Sequence, residues 1–264
     1  MISVSQLTRK FKDFVAVDHL DFEVRAGEIF AFLGPNGAGK STTIKMLTTL
    51  LRPTEGRAVL NGFDVHAQQA GVRRSIGVVF QDPSLDSELT ARENMEIHAV
   101  LYRVPRAERA ERIRALLEFV ELWGRRDDLV STFSGGMKRR LEIARGLLHH
   151  PQVLFLDEPT LGLDPQTRNH VWDYVRRLNE TEGTTIFFTT HYMQEAEQVA
   201  HRIAIMDHGR LVATGTVAEL RERTGGANLE EAFLALTGRD LRDEELSGSD
   251  QMRAMMRSWG RGRR

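Results

Sequence analysis

The sequence predicts an α/β fold with a mainly parallel sheet, an inserted all-helical subdomain and a short C-terminal extension. Three observations carry this. Short apolar runs alternate with helical patterns along residues 1–223, which is how helices layered on a parallel sheet read in sequence. That alternation stops between residues 82 and 150, where only helical patterns occur. After the pair Gly225-Gly226 the pattern changes again, to one short amphipathic stretch followed by a polar, charge-rich tail.

Residues 28–33 (EIFAFL), 75–80 (SIGVVF), 153–157 (VLFLD), 184–190 (TTIFFTT) and 202–207 (RIAIMD) are short, apolar and bounded by turn signals, as buried strands are. Helical patterns cover 40–51, 165–180 and 192–200 of the core, and 90–103, 106–122 and 136–149 of the insertion. Thr90-x-x-Glu93 and Thr216-x-x-Glu219 fit capping boxes that start helices. The expected organisation is a core of 1–81 and 151–223, a helical subdomain of 82–150, and an extension of 224–264 that is partly mobile. Within the extension, 228–237 fits one short helix.

Composition sets limits. The 264 residues include 36 Lys+Arg and 37 Asp+Glu, a formal net charge of −1. That balance argues against a nucleic-acid coat, which needs a basic surplus. It also hides an uneven layout: residues 251–264 hold five arginines and no acid, leaving −6 for the rest. Met252, Met255, Met256 and Trp259 interleave with those arginines. A solvated tail is the plain reading, and a basic segment touching lipid headgroups or a partner is the sharper one. Cysteine is absent, so disulfides, thiolate metal sites and Cys nucleophiles are excluded and a reducing compartment fits. No apolar run reaches the ~18–20 residues of a membrane span, and the start has no signal-peptide core.

The strongest chemical signal is Gly34-Pro35-Asn36-Gly37-Ala38-Gly39-Lys40-Ser41, followed by Thr42. This G-x-x-x-x-G-K-S spacing lies between a predicted strand and a predicted helix, as a phosphate-binding loop requires. Its glycines let backbone N–H groups turn inward to phosphate oxygens, and the helix start adds positive partial charge. Lys40 would reach the β- and γ-phosphates of ATP, and the Ser41 hydroxyl would ligate Mg²⁺. The strand 153–157 delivers Asp157 to hold Mg²⁺ through water, and Glu158 follows to orient or deprotonate the attacking water. These two features define the broad P-loop nucleotide-hydrolase class.

Ser134-Gly135-Gly136-Met137 opens a second helix, with Met137, Leu141, Ala144, Leu147 and Leu148 at apolar helical spacing. Its N-terminus is a second anion-receptive site. One nucleotide does not need two, so a second subunit is the natural supplier.

In order, the phosphate loop, Gln81, Ser134-Gly135-Gly136-Met137, Asp157-Glu158, Leu163-Asp164 and His191 resemble the ATP-binding cassette (ABC) ATPase family over residues 1–223. The resemblance implies a head-to-tail pair of copies with two ATP molecules between them. In such a pair Ser134, Gly135 and Gly136 meet the γ-phosphate held by the opposite copy, Asp164 faces the opposite phosphate loop, and His191 touches the γ-phosphate. Gln81 stands near the metal and the water, and Phe11 matches the ring that stacks on adenine. Where the family commonly has Leu-Ser-Gly-Gly-Gln, this chain has Phe-Ser-Gly-Gly-Met. That version, with Lys-Arg-Arg-Leu-Glu-Ile-Ala-Arg after it and the stretch 228–239, is similar to drug exporters of the daunorubicin-resistance type.

The function so implied is a cytoplasmic ATPase subunit, peripheral on the inner face of the membrane, that drives a separate permease. The implied cargo is a drug, antibiotic or other hydrophobic compound, and an importer subunit is the alternative. Chromosome-organising or DNA-repair relatives carry a long coiled-coil insertion, but Gln81 and Ser134 lie only 53 positions apart. Ribosome-acting relatives join two cassettes, and this chain has one phosphate loop. No nucleic-acid partner is expected.

Overall fold

A computed structural model of the chain describes residues 1–82 and 84–238. The first sheet is built from strands β1 (Ile2–Phe11), β2 (Phe14–Val24), β4 (Glu55–Leu60) and β5 (Phe63–Asp64). They run antiparallel in the order β2-β1-β4-β5. The second contains β3 (Ile29–Leu33), β6 (Ile76–Val79), β7 (Val153–Asp157), β8 (Thr185–Thr190), β9 (Arg202–Asp207) and β10 (Arg210–Gly215). Its order is β10-β9-β3-β8-β7-β6, and every neighbouring pair is parallel except β10 with β9. Helices α1 (Lys40–Leu47), α2 (Gln69–Ser75), α6 (Pro165–Glu182), α7 (Met193–Val199), α8 (Val217–Thr224) and α9 (Leu229–Thr237) surround the sheets. Helices α3 (Ala91–Leu101), α4 (Arg106–Phe119) and α5 (Gly135–Leu147) form the stretch between β6 and β7.

The parallel strands come from the apolar runs, because residues buried on both faces carry no alternation. One face of the six-stranded sheet packs on the antiparallel sheet through touching rings. Phe32 and Phe187 lie 5.5 Å apart, Phe155 and Phe187 5.3 Å, and Phe22 of β2 meets Phe32 at 5.5 Å. The other face packs Leu33, Leu156, Ile186 and Phe188 against Trp172, Val175 and Phe233. A third cluster, including Met95, Leu117, Leu141 and Leu148, fills the helical stretch.

Helix α5 packs on two sides. Its apolar residues do not share one face: Leu141, Ala144 and Leu148 enter the helical cluster, whereas Ile143 and Leu147 enter the sheet cluster. The helix is a seam between two cores. Both capping boxes are present, closed by Glu93 onto Thr90 and by Glu219 onto Thr216. Helix α1 ends at Leu47, earlier than the periodicity predicts, because Thr48 turns its hydroxyl back to the Ile44 carbonyl and Thr49 takes a left-handed φ of 66°. Among the described residues no helix is long and apolar enough to cross a membrane. The arginine- and methionine-rich segment 251–264 lies outside the described residues.

Helix α3 carries an acid-sensitive group. His98 lies 4.6 Å from the Tyr102 ring and 6.5 Å from His149. Burial, with the nearby Arg145 and His149 charges, pushes its pKa from 6.5 down to about 3. The unfolded chain therefore takes up this proton first, so stability is intact above pH 6.5 and is lost as pH falls from 6.5 towards 3. Thermal unfolding across that range is expected to fall less steeply for His98→Phe than for the unchanged chain. An identical slope would exclude His98 as a contributor.

Candidate functional site

Strand order places the site. β3, β8, β7 and β6 are parallel neighbours, so their C-terminal ends lie on one edge, where open α/β sheets bind ligands. The register aligns Leu33 with Thr190 and Asp157 with Thr189. The phosphate loop after β3, Asp157-Glu158 after β7, His191 after β8 and Gln81 after β6 therefore converge.

A cavity of about 390 Å³ opens there, lined by Phe11, Phe14, Ala16, Pro35, Asn36, Gly37, Gly39, Lys40, Ser41, Thr42, Gln81 and Glu158. Gly37 and Gly39 have φ of 82° and 105°, left-handed values that side-chain-bearing residues avoid. Gly34 has a different reason: a Cβ there would collide with the Met206 carbonyl of β9. Ala38 is buried beneath the loop.

Lys40 is buried to 5% exposure. Its Nζ donates to the carbonyls of Gly34 at 2.6 Å and Pro35 at 3.1 Å, and stands 3.3 Å from Glu158 Oε1. The other Glu158 oxygen lies 2.6 Å from His191 Nδ1. The same carboxylate thus links the phosphate-loop lysine to the histidine. Burial would raise the Glu158 carboxyl, but the His191 hydrogen bond and the Lys40 charge outweigh it and hold it below the ordinary value of 4.5. It is a carboxylate at neutral pH. Its backbone is left-handed, with φ of 48°, and is pinned by Glu158 N–H donating to the Thr189 carbonyl and hydroxyl.

Asp157 is only 3% exposed. Its Oδ1 accepts from Ser41 Oγ at 3.1 Å and Thr189 Oγ1 at 2.6 Å. The Ser41 and Asp157 oxygens suit a hard divalent cation that takes its other ligands from phosphate and water. Among the described residues no group of three or more His, Asp or Glu could hold a metal unaided. The donor set therefore fits Mg²⁺ arriving with a nucleotide.

Eight predicted residues do not line this cavity: Gly34, Asp157 and His191 bond to residues that do, Ala38 lies between Gly37 and Gly39, and Ser134, Gly135, Gly136 and Asp164 stand apart. Ser134 and Gly135 are exposed at the start of α5, with Gly136 buried behind them. Ser134 caps the helix, its Oγ accepting from Met137 N–H. Asp164 is exposed and caps α6, accepting from Thr167 N–H at 3.0 Å and Thr167 Oγ1 at 2.6 Å. These bonds lower its carboxyl pKa, the Thr167 hydroxyl most. A Cβ on Gly136 would strike the Thr167 methyl, so the first turns of α5 and α6 are packed against each other.

Sequence reasoning missed five contributors: Phe14, Arg9, Thr189, Arg139 and Glu142. Phe14 is 64% exposed beside Phe11, which is 42% exposed, and the two pair directly across the β1–β2 turn. Their three-residue spacing around Lys12-Asp13 is the hairpin signal that could have found Phe14. Arg9 lies 4.5 Å from the Phe11 ring centre. Thr189, Asp157's partner, sat unremarked inside a predicted strand. Arg139 and Glu142, charged residues within a helical pattern, are buried. Arg139 donates to the carbonyls of Phe80 (2.6 Å), Asp157 (3.0 Å) and Pro159 (2.7 Å) and pairs with Glu142 at 3.2 Å. Glu142 in turn accepts from Ser84 N–H at 2.8 Å. The helix opened by Ser134 is therefore tied to the strand ends that carry Gln81 and Glu158.

Known proteins share this arrangement. The sequence pattern of the ABC transporter family matches residues 17–161. The daunorubicin/doxorubicin resistance ATP-binding protein of Streptomyces peucetius is 49% identical over 224 residues, covering 85% of this chain and 68% of its own. The linearmycin resistance ATP-binding protein of Bacillus subtilis is 40% identical, covering 89% and 78%. Among solved structures, an ATP-binding subunit of an ABC transporter superposes with a TM-score of 0.81 at 32% identity, covering 89% of this chain and 99% of that one. A dimeric cassette in a post-hydrolysis state bound to ADP and Pi superposes at 0.74 with 28% identity, covering 82% and 98%. With its phosphate loop, acidic strand end and second capped helix in place, this chain belongs to the ABC transporter family and is an ATP-hydrolysing, ATP-binding transporter subunit.

Proposed function

We propose that two copies of this chain close head to tail on two ATP molecules and drive a separate membrane permease that exports a drug, antibiotic or other hydrophobic compound. The observation that carries this is the division of the site. Lys40, Ser41, Gln81 and Glu158 line one cavity, while the exposed N-termini at Ser134 and Asp164 do not. A second copy supplies what each cavity lacks. The names of the relatives, which speak of daunorubicin, doxorubicin and linearmycin resistance and of Nod factor export, support the outward direction. The subunit itself would be cytoplasmic, held at the membrane by its permease. The groove between the core and the helical stretch, near Gln81 and residues 82–88, would receive a permease helix.

Phe11 would stack on adenine, with Phe14 beside it. Phosphate oxygens would draw Lys40 from the Gly34 and Pro35 carbonyls and loosen its hold on Glu158. Glu158 would then accept a proton from the water attacking in line with the γ-phosphate, held by the His191 contact. The products are ADP and phosphate. Ser41 and Asp157 would hold Mg²⁺, whose charge would favour phosphoryl transfer. Ser134 and Gly136 of the second copy would donate to the same oxygens.

Complementation tests the shared site. Lys40→Ala and Ser134→Arg chains should each be inactive alone. Mixed, they form pairs with one intact site, and random pairing should restore roughly a quarter of the wild-type rate. Absence of any recovery would reject the shared site.

A further inference from the structure

We propose that Glu195 is a positioning residue for hydrolysis, a buried anchor that holds the segments carrying Glu158, His191 and Asp164 in one arrangement. This rests on the reading of Glu158 and His191 given above, and it concerns a residue outside the ATP cavity. Glu195 lies in the first turn of α7 and is 4% exposed. Its two carboxylate oxygens are engaged by different segments. Oε1 accepts from Thr160 Oγ1 at 2.6 Å, and Oε2 accepts from Thr190 Oγ1 at 3.0 Å. Thr160 is two residues beyond Glu158, and Thr190 immediately precedes His191.

A third segment joins through Arg168. Its Nε stands 3.7 Å from Glu195 Oε1, its Nη2 donates to the Leu163 carbonyl at 3.3 Å, and its guanidinium lies 4.5 Å from the Tyr192 ring centre. Arg168 follows the Asp164 cap by one helical turn, its N–H donating to the Asp164 carbonyl at 2.9 Å. Tyr192 continues from His191, with ring centres 4.1 Å apart. Its N–H donates to Thr190 Oγ1 at 2.9 Å, so that hydroxyl is oriented towards Glu195. All three routes from the anchor end beside a residue assigned to catalysis or to the facing subunit.

Burying a carboxylate with only a partly exposed arginine nearby is unfavourable. Two hydroxyl donors from separate segments satisfy it, and they fix where the segments end. The 2.6 Å contact between His191 and Glu158 spans the two loops that Thr160 and Thr190 tether. Loss of the anchor frees both loops while leaving Lys40, Ser41 and the adenine-facing rings untouched. A misplacement of about 1 Å at a reacting group is enough to lower turnover by roughly 10²-fold. The effect should therefore fall on the chemical step and not on nucleotide binding.

The test is steady-state ATP hydrolysis and equilibrium ATP binding by full-length chains. Glu195→Ala is expected to lower kcat by about 10- to 100-fold, with KM for ATP and the dissociation constant within about twofold. Glu195→Gln keeps one acceptor oxygen and adds an amide donor to the other hydroxyl, and should recover most of the loss. Thr160→Val removes one tether and should lower kcat by several-fold, deciding the matter alone if Glu195→Ala does not fold. Wild-type kcat in folded Glu195→Ala or in Thr160→Val would overturn the assignment. So would a fall in kcat matched by an equal loss of ATP affinity, or no recovery in Glu195→Gln. Glu158→Gln, measured alongside, separates the two readings: wild-type hydrolysis in that variant removes the catalytic assignment on which the anchor rests.

Discussion

Glu158→Gln should lower kcat by about 10²- to 10⁴-fold while leaving ATP affinity within a factor of about three. The substitution keeps shape and hydrogen-bonding reach, so the His191 contact and the left-handed backbone at this position can persist. What it removes is the anionic oxygen that can take a proton from water. It also removes the charge 3.3 Å from Lys40, which leaves the lysine freer to meet phosphate. ATP should therefore bind, the pair of subunits should close, and hydrolysis should not reopen it. Gel filtration with ATP and Mg²⁺ should show a persistent dimer for the variant and a transient one for the wild type. Wild-type turnover would remove Glu158 from its role. The variant should also lose an acid dependence. A carboxyl held below 4.5 in the folded chain contributes stability that is present above 4.5 and lost as pH falls through the lowered value.

Arg139→Leu is expected to destabilise the chain by about 3–5 kcal/mol, because it strands the buried Glu142 carboxylate without its cation. Three carbonyls, of Phe80, Asp157 and Pro159, lose their donor in the same step. A thermal midpoint lower by the order of 10 °C follows for a chain of this size. Replacing Glu142 as well should return part of the loss, since the isolated charge disappears while the carbonyls stay unsatisfied. Hydrolysis should fall further than stability alone accounts for, because those carbonyls end the strands that carry Gln81 and Glu158. A midpoint within about one degree of wild type would show that solvent replaces the guanidinium.

The difference between what could and could not be read from sequence has physical causes. β3, β7, β8 and β9 are buried on both faces, so each stood out as an apolar run. β1 escaped notice because its inside-outside alternation slips where the register shifts between Val4 and Leu7, next to the left-handed Gln6. β4 begins with Glu55, Gly56 and Arg57, all exposed, and offered no apolar signal until Ala58. β2 was missed as well, although Leu20, Phe22 and Val24 alternate with the exposed Asp21 and Glu23. Phosphate-loop residues were legible because backbone geometry and charge demand particular residue types at fixed spacing. Arg139, Glu142 and Glu195 were not, because a buried charge and a solvated one look alike until the partners brought by the fold are known.

The tight seating of the phosphate loop has a kinetic consequence. Gly34 lies against the Met206 carbonyl of β9, and a Cβ on Gly39 would come within 2.5 Å of the Ala16 carbonyl of β2. The loop is held from both sheets by its own chain, so its shape is set before a nucleotide arrives. Capture of a single nucleotide then carries little ordering entropy and can be fast. In the proposed pair, the slow, committing event in each cycle would then be the meeting of the two subunits.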